Sequence, residues 1–362
     1  MTNIFDKIND SGYDFYFLVV DKFLDISIPQ LINFYSIYDP NLSTKNSGFL
    51  LSQKSTQKFI IDTSTKSGHK IAIVPFKPSA KIDHICKQNN WTVISNPSSL
   101  NRLLEDKIKL FEICQKEQLP VVPSLINTFT LPNFISAQKT LGDTVVIQTH
   151  FGWAGNSSFI SNSFDELKSK IPENTLVKFS KYLKGYSLIN NCCLTSNGLL
   201  QSPPGLQYTG IKPLTSNPLA TVGRQWPCFA PELIQNQVKK ITSDFSIVLQ
   251  KYNYQGFFGL DFIVSNNTVY LLECNPRLTA SFAFYTSIEL KNNLIPLFLH
   301  HLSEFINLSL DVNSEANQEL VGSEITLKAL SGTTIKKYND FIPFASSPDP
   351  IRIPQDILAK VL

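Results

Sequence analysis

Nowhere in its 362 residues does the chain carry an uninterrupted apolar run of about 18 residues, the length a membrane-crossing helix needs. The opening Met-Thr-Asn-Ile-Phe-Asp-Lys has no signal-peptide apolar core either. No basic run is present: Lys and Arg total 32 against 29 Asp and Glu, a formal charge of +3, so neither nucleic acid nor a membrane is expected as partner. The six cysteines are scattered, and the one adjacent pair, Cys192-Cys193, lacks zinc spacing; reduced thiols in a cytoplasmic protein are expected. No Gly-x-Gly-x-x-Gly occurs, which leaves no dinucleotide to assign. No Ser-His-Asp or Cys-His arrangement suggests a protein nucleophile. His150 stands beside a small-residue loop, and His300-His301 falls in a helical pattern, where adjacent side chains diverge and make a poor metal pair.

What is present is an organised α/β pattern. The length suits two or three subdomains with a large combined core. Residues 1–100 alternate strand-like runs (Phe15 to Val20, Lys70 to Phe76, Trp91 to Ser95) with helical or loop segments, the pattern of a small Rossmann-like domain. From Pro231 to Tyr252 the residues Ile234, Val238, Ile241, Phe245, Val248, Leu249 and Tyr252 mark the apolar face of a helix packed on a sheet. A further helix is expected around Leu294 to Ile306 and a strand over Glu324 to Leu330. No internal repeat is evident.

The most informative stretch runs from Gly256 to Arg277. Two apolar strands carry Asp261, Glu273 and Asn275, with Arg277 following. Side chains alternate along a strand, so Asp261 shares a face with Phe257, Gly259 and Ile263. On the return strand Val269, Leu271, Glu273 and Asn275 are expected together, opposite Tyr270, Leu272 and Cys274. A three-residue loop, Asn266-Asn267-Thr268, would set Asp261 against Glu273; a two-residue loop would send the acids to opposite faces. The three-residue loop is therefore expected. Two facing carboxylates in a covered sheet repel and lose hydration, costing several kcal/mol per ion unless compensated. Hard oxygen ligands of this kind suit Mg2+, with Mn2+ as an alternative.

This arrangement resembles the metal-binding end of the ATP-grasp superfamily, especially ligases similar to carbamoyl phosphate synthase and biotin carboxylase. The resemblance implies that Asp261, Glu273 and Asn275 are magnesium ligands. Arg277 would stabilise the transferring phosphoryl group or hold the acceptor carboxylate. Other pieces follow in the family's order. Asp106-Lys107 opens an amphipathic helix with Leu110, Phe111 and Cys114 on one face, and Lys107 would touch ATP phosphate. A strand from Val145 to Gln148 runs into a small-residue loop. There Gly152, Gly155, Asn156 and Ser157 would cradle phosphate oxygens as a lid. The segment Thr175 to Leu188 resembles the hinge strand, with Ser180, Lys181 and Leu183 at the adenine edge. Two positions depart from the family. Gln148 stands where a Lys is common, so the cation duty passes to Lys107 or Arg224 or phosphate affinity falls; Ser180 stands where related chains have an acid.

The resemblance thus implies an α/β and α+β architecture. A Rossmann-like pre-ATP-grasp domain over 1–100 precedes a two-lobed ATP-grasp module over 101–290, its lid at about 120–180, and a C-terminal extension over 291–362. Between Gln201 and Trp226 a Pro-, Gly- and Thr-rich stretch reads as a substrate or phosphate loop, with Gln207, Tyr208, Thr209 and Arg224 closing over a substrate, in preference to a disordered insertion. The implied enzyme is an ATP- and Mg2+-dependent carboxylate–amine ligase working through an acyl phosphate on small-molecule substrates, an amino acid or peptide-like acid foremost. Carboxylase or carbamoyl-phosphate chemistry is the alternative, although a chain with a single Met has no Met-Lys-Met biotinylation motif. A non-catalytic nucleotide-binding protein is the third reading. A homo-oligomer is left open.

Overall fold

The computed structural model describes residues 4–42, 46–152, 157–310, 320–329 and 334–362. Strands β1 (Tyr13–Leu18), β2 (Phe34–Ile37), β3 (Lys70–Pro75) and β4 (Thr92–Val93) form a parallel sheet in the order β2-β1-β3-β4. Parallel strands are covered on both faces, which explains the continuous apolar run from Phe15 to Val19. Tyr16, Leu18 and Ile73 enter a core with Ile60, Ile82 and Ile85 of the flanking helices. Phe15, Phe17 and Val74 face the other way and meet Phe282 and Phe298, welding this sheet to the rest of the molecule. The third strand expected here, Trp91 to Ser95, is reduced to Thr92–Val93.

Strands β5 (Ser124–Thr128), β6 (Val145–Gln148), β7 (Ser158–Ser161) and β8 (Leu176–Lys181) make a small antiparallel sheet in the order β5-β8-β6-β7. The helix Leu131–Leu141, capped by the Thr130 hydroxyl, covers one face and buries Phe134, Ala137 and Leu141 against Ile147, Val177 and Phe179.

The largest sheet has eight strands. They are β9 (Tyr186–Thr195), β10 (Gly198–Gln201), β11 (Gly205–Thr209), β12 (Thr221–Trp226), β13 (Gly256–Ser265), β14 (Thr268–Asn275), β15 (Gly322–Lys328) and β16 (Thr334–Asp340). Their order is β14-β13-β9-β11-β12-β15-β16, with β10 paired to β9. Gly185, in the link from β8 to β9, lies so close to the Val264 carbonyl that a Cβ there would stand 1.8 Å from its oxygen. The helix Glu232–Lys251 buries Ile234, Val238, Ile241, Phe245, Val248 and Leu249 on this sheet. Tyr252 is not part of that stripe: the helix ends before it, and its side chain is partly exposed.

One expectation is overturned here. The stretch from Gln201 to Trp226 is not a long loop but contains β11 and β12, paired antiparallel. Leu206, Tyr208, Val222 and Trp226 are buried in the core, while Pro203, Pro204, Pro213 and Pro218 sit at strand ends and in the connecting turn. Proline and glycine punctuate the strands rather than dissolve them. The tail beyond residue 290 also joins this sheet, since β15 pairs with β12. Among the described residues no helix is long and apolar enough to cross a membrane.

Candidate active site

Asp261 and Glu273 do face each other, but not for the expected reason. The β13–β14 turn has two residues, Asn266 and Asn267, both left-handed with φ of 49° and 59°. That is the tight turn matched to strand twist, and asparagine tolerates it. It pairs Ser265 with Thr268 and Phe262 with Leu271. On that register Asp261 would face Leu272. Instead the ladder shifts by one residue, Leu272 is left unpaired, and Asp261 pairs with Glu273. A β-bulge does what a longer loop was expected to do. It also reverses the sidedness of the strand's first half: Val269 and Leu271 join the core with Cys274 rather than sharing a face with Glu273.

The Asn275 amide nitrogen lies 3.5 Å from both Asp261 Oδ2 and Glu273 Oε1. Lys107 Nζ stands 3.0 Å from Glu273 Oε2, its ammonium buried at the start of the helix Lys107–Lys116. Asp106 caps that helix by accepting from the amides of Ile108 and Lys109. It also contacts His150 Nδ1 at 2.8 Å, which occupies His150 structurally. The carboxylate pair divides its charge unequally. Burial, followed by the neighbouring Glu273, pushes Asp261 up to about 8. For Glu273 burial acts in the same direction, but the Lys107 ammonium and its hydrogen bond outweigh it and hold the group below the ordinary range.

Arg277 is fixed by Glu105, with Nε 2.7 Å from Oε1, and by Asn275 Oδ1 at 3.0 Å. Lys77 takes the other Glu105 oxygen at 2.6 Å. Arg224 pairs with its cross-strand neighbour Glu324 at 2.7 Å, and Lys337 takes the second oxygen of Glu324 at 2.6 Å.

The small antiparallel sheet brings the remaining groups. Gln148, at the end of β6, donates to the Ser158 hydroxyl at 2.9 Å. Directly across on β8 is Lys178, paired in register with Gln148 and buried. No carboxylate lies within ion-pair distance of Lys178 among the described residues. Burial, then repulsion from Lys107, lowers its ammonium to about 8. Ser180 accepts a hydrogen bond from Ser124 at 2.8 Å. The Lys181 amide donates to the Pro123 carbonyl, whereas the Leu183 amide has no such partner among the described residues. Gly152 is pressed so tightly on Ser157 that a Cβ would stand 1.7 Å from its hydroxyl oxygen.

These groups line one cleft of about 570 Å³. Lys107, Gln148, Gly152, Ser157, Ser180, Lys181, Leu183, Arg224, Asp261, Glu273, Asn275 and Arg277 all border it. Gly155 and Asn156 lie outside the described residues. Gln207 and Thr209 also face the cleft, but Tyr208 points into the core and donates to Gln225, so it cannot close over a substrate. Its neighbours alternate with it along β11, which turns Tyr208 away.

Lys178, Asn191 and Lys328 border the cleft too, and none stands out by residue type alone. The available signal is a polar residue in an apolar strand: Lys178 lies between Val177 and Phe179, and the pair Asn190-Asn191 between Ile189 and Cys192. Asn191 Oδ1 accepts from Thr279 and Ser281, while its buried Nδ2 has no partner among the described residues.

Residues 104–281 match the ATP-grasp domain family, so this part of the chain is an ATP-grasp domain. Solved structures with the same fold include biotin carboxylase from Campylobacter jejuni in complex with a β,γ-ATP ligand. It is 14% identical with a TM-score of 0.61, over 94% of this chain and 74% of that one. N5-carboxyaminoimidazole synthetase from Staphylococcus aureus complexed with ADP is 15% identical with a TM-score of 0.55, over 75% of this chain and 79% of that one. The biotin carboxylase domain of 2-oxoglutarate carboxylase from Hydrogenobacter thermophilus, with MgADP and bicarbonate, is 13% identical with a TM-score of 0.59. That match covers 86% of this chain and 74% of that one. No curated protein sequence matches the chain.

Proposed function

We propose that the protein is an ATP- and Mg2+-dependent, ADP-forming ligase that joins a carboxylate to an amine through an acyl phosphate. The observation that carries this reading is the convergence of Asp261, Glu273 and Asn275 on one side of β13–β14, within a single cleft that also holds Lys107 and Lys178. Among the described residues no cluster of three or more His, Cys, Asp or Glu is arranged to hold a metal alone. The donor set fits an ion that completes its shell from phosphate and water, as Mg2+ does; Mn2+ would fit the same oxygens. When bound, the ion would neutralise phosphate charge next to Asp261 and Glu273.

The chain's own residues then have distinct tasks. Lys107 and Lys178 hold phosphate oxygens, and the segment from Gly152 to Ser157 covers them. Lys181 and Leu183 border the base, where the unpaired Leu183 amide is free to donate. Arg277 is aimed by Glu105 toward the transferring group, and Arg224 by Glu324 toward the acceptor. The substrate carboxylate takes the γ-phosphoryl group, ADP leaves, and the amine displaces phosphate from the acyl phosphate. The three-part division at residues 100 and 290 belongs to this proposal. So does a cytoplasmic location, for which the six free, buried thiols are the physical support.

A second reading takes bicarbonate as the acid. The similar structures named above are a biotin carboxylase, a carboxylase domain with bicarbonate and an N5-carboxyaminoimidazole synthetase. ADP release should be measured with Mg2+ across acid–amine pairs, with and without bicarbonate. Release dependent on an added acid and amine supports the ligase, and strict bicarbonate dependence the carboxylase. The variant Glu273→Gln is expected to abolish release while leaving the circular dichroism spectrum intact. Undiminished release by that variant would remove the metal assignment.

A further inference from the structure

Lys77, Lys107, Arg224 and Arg277 border the cleft with carboxylate partners, whereas Lys178, Lys181 and Lys328 border it with none among the described residues. Glu273 answers Lys107, Glu105 answers Arg277 and Lys77, and Glu324 answers Arg224 and Lys337. At the β12–β15 end this balance breaks. Glu324 is buried and both its oxygens are taken, yet a further ammonium, Lys328, borders the cleft on the same strand. Glu324 and Lys328 are four residues apart on β15, so they share a face. No carboxylate lies within ion-pair distance of Lys328 among the described residues. Of the acids that act on it, Glu324 is already shared by Arg224 and Lys337, and Asp21 has its Oδ1 engaged as the cap acceptor of the Phe23 amide. Burial, then the Arg224 guanidinium, lowers the Lys328 ammonium to about 8, and the shared Glu324 carboxylate does not offset them.

This end is distinct from the phosphate end. The strand order puts β9, β11 and β12 between β13 and β15, so Lys328 lies four strand spacings from Asp261, on the order of 20 Å along the sheet. Between them Arg224 on β12 borders the cleft and reaches far enough to act on Asp261, and the wall beside it is polar and neutral: Thr221 donates to Gln207 at 2.6 Å, with Thr209 beside them. An excess of positive charge at the far end of a polar trough calls for an anion on the occupant.

Resting on the ligase reading above, we propose that Lys328 and Arg224 form a second anion site in the cleft. One of the two substrates joined there then carries a carboxylate or phosphate in addition to the carboxylate that is activated. This gives the tail beyond residue 290 a role: β15, which lies outside the 104–281 family match, supplies the residue that selects the substrate.

The test is calorimetric titration of the free and the MgADP-loaded protein with glutarate, inorganic phosphate and, as monoanion control, acetate. Glutarate or phosphate is expected to bind the MgADP-loaded protein and acetate not to. Which dianion binds distinguishes a carboxylate-bearing from a phosphate-bearing substrate. Lys328→Met is expected to weaken that binding by about tenfold or more, and Lys328→Arg to restore it, with MgADP affinity held within about twofold. Failure of both dianions to bind, or equal binding by wild type and Lys328→Met, would overturn the proposal. Failure of MgADP to bind would instead strike the nucleotide reading, and the free-protein titration against Lys328→Met still decides the anion site.

Discussion

Leu272 stands unpaired between Leu271 and Glu273, and this single omission from the ladder puts Glu273 opposite Asp261. The bulge absorbs the one residue by which the return strand exceeds a two-residue hairpin. Deleting Leu272 should therefore straighten the ribbon while keeping the acids opposed. MgADP affinity is expected to stay within about tenfold of wild type. Deleting Cys274, beyond Glu273, would turn Asn275 toward the core and is expected to abolish Mg2+-dependent binding. Calorimetry on both variants, with thermal melts to exclude unfolding, checks the contrast.

Gln148 and Lys178 sit across from each other on β6 and β8, so one could take over the other's cation. Lys178→Met is expected to lose a charge-assisted contact to phosphate worth about 1.5–3 kcal/mol, or roughly 10–100-fold in nucleotide affinity. The double variant Gln148→Lys, Lys178→Met should recover most of it. Since the Lys178 ammonium is held near 8, wild-type affinity should fall as pH rises through that value. Lys178→Met should lack that inflection. A flat wild-type profile, or no recovery in the double variant, would show that Lys178 does not touch the phosphates.

His301 on the helix Leu297–Phe305 is buried and accepts the Phe257 amide on Nδ1 at 3.0 Å. Burial lowers it to about 3 and His300 to about 4. Both are neutral in the folded protein and protonate at ordinary values, near 6.5, only when unfolded. The stability they contribute is present above about pH 6.5 and is lost progressively as pH falls toward 3. Urea midpoints across that range should fall more steeply for wild type than for His301→Gln. At pH 8 His301→Leu should cost about 1–3 kcal/mol, because it strands the buried Phe257 amide.

Much of this site is legible before any coordinates. Carboxylates inside apolar strands, as at Asp261 and Glu273, need compensation, and that need points to a cation; the phosphate-bearing ligand follows only from the resemblance to ATP-grasp enzymes. The helix opened by Asp106 and the stripe from Ile234 to Leu249 follow from capping and periodicity, which are local rules. The stretch from Gln201 to Trp226 misleads because its prolines mark strand ends, and their composition hides the buried alternation of Leu206 and Tyr208. The Asp261–Glu273 register depends on a bulge, for which Leu272 has no distinguishing side chain.

The chain's composition and local pattern determined which residue types would be driven together: acids that cannot be buried alone, glycines that admit close approach, and apolar stripes that demand a sheet to cover. Tertiary structure alone decided which cations remain without partners. Lys107 and Arg224 look available in sequence, yet are matched by Glu273 and Glu324, while Lys178 and Lys328 are not matched by any described carboxylate. Glu324 lies 100 positions from Arg224, and Lys178 lies 30 positions beyond Gln148. Charge balance between strands so far apart follows from how the sheets are ordered, and no local rule of helix or strand encodes that order.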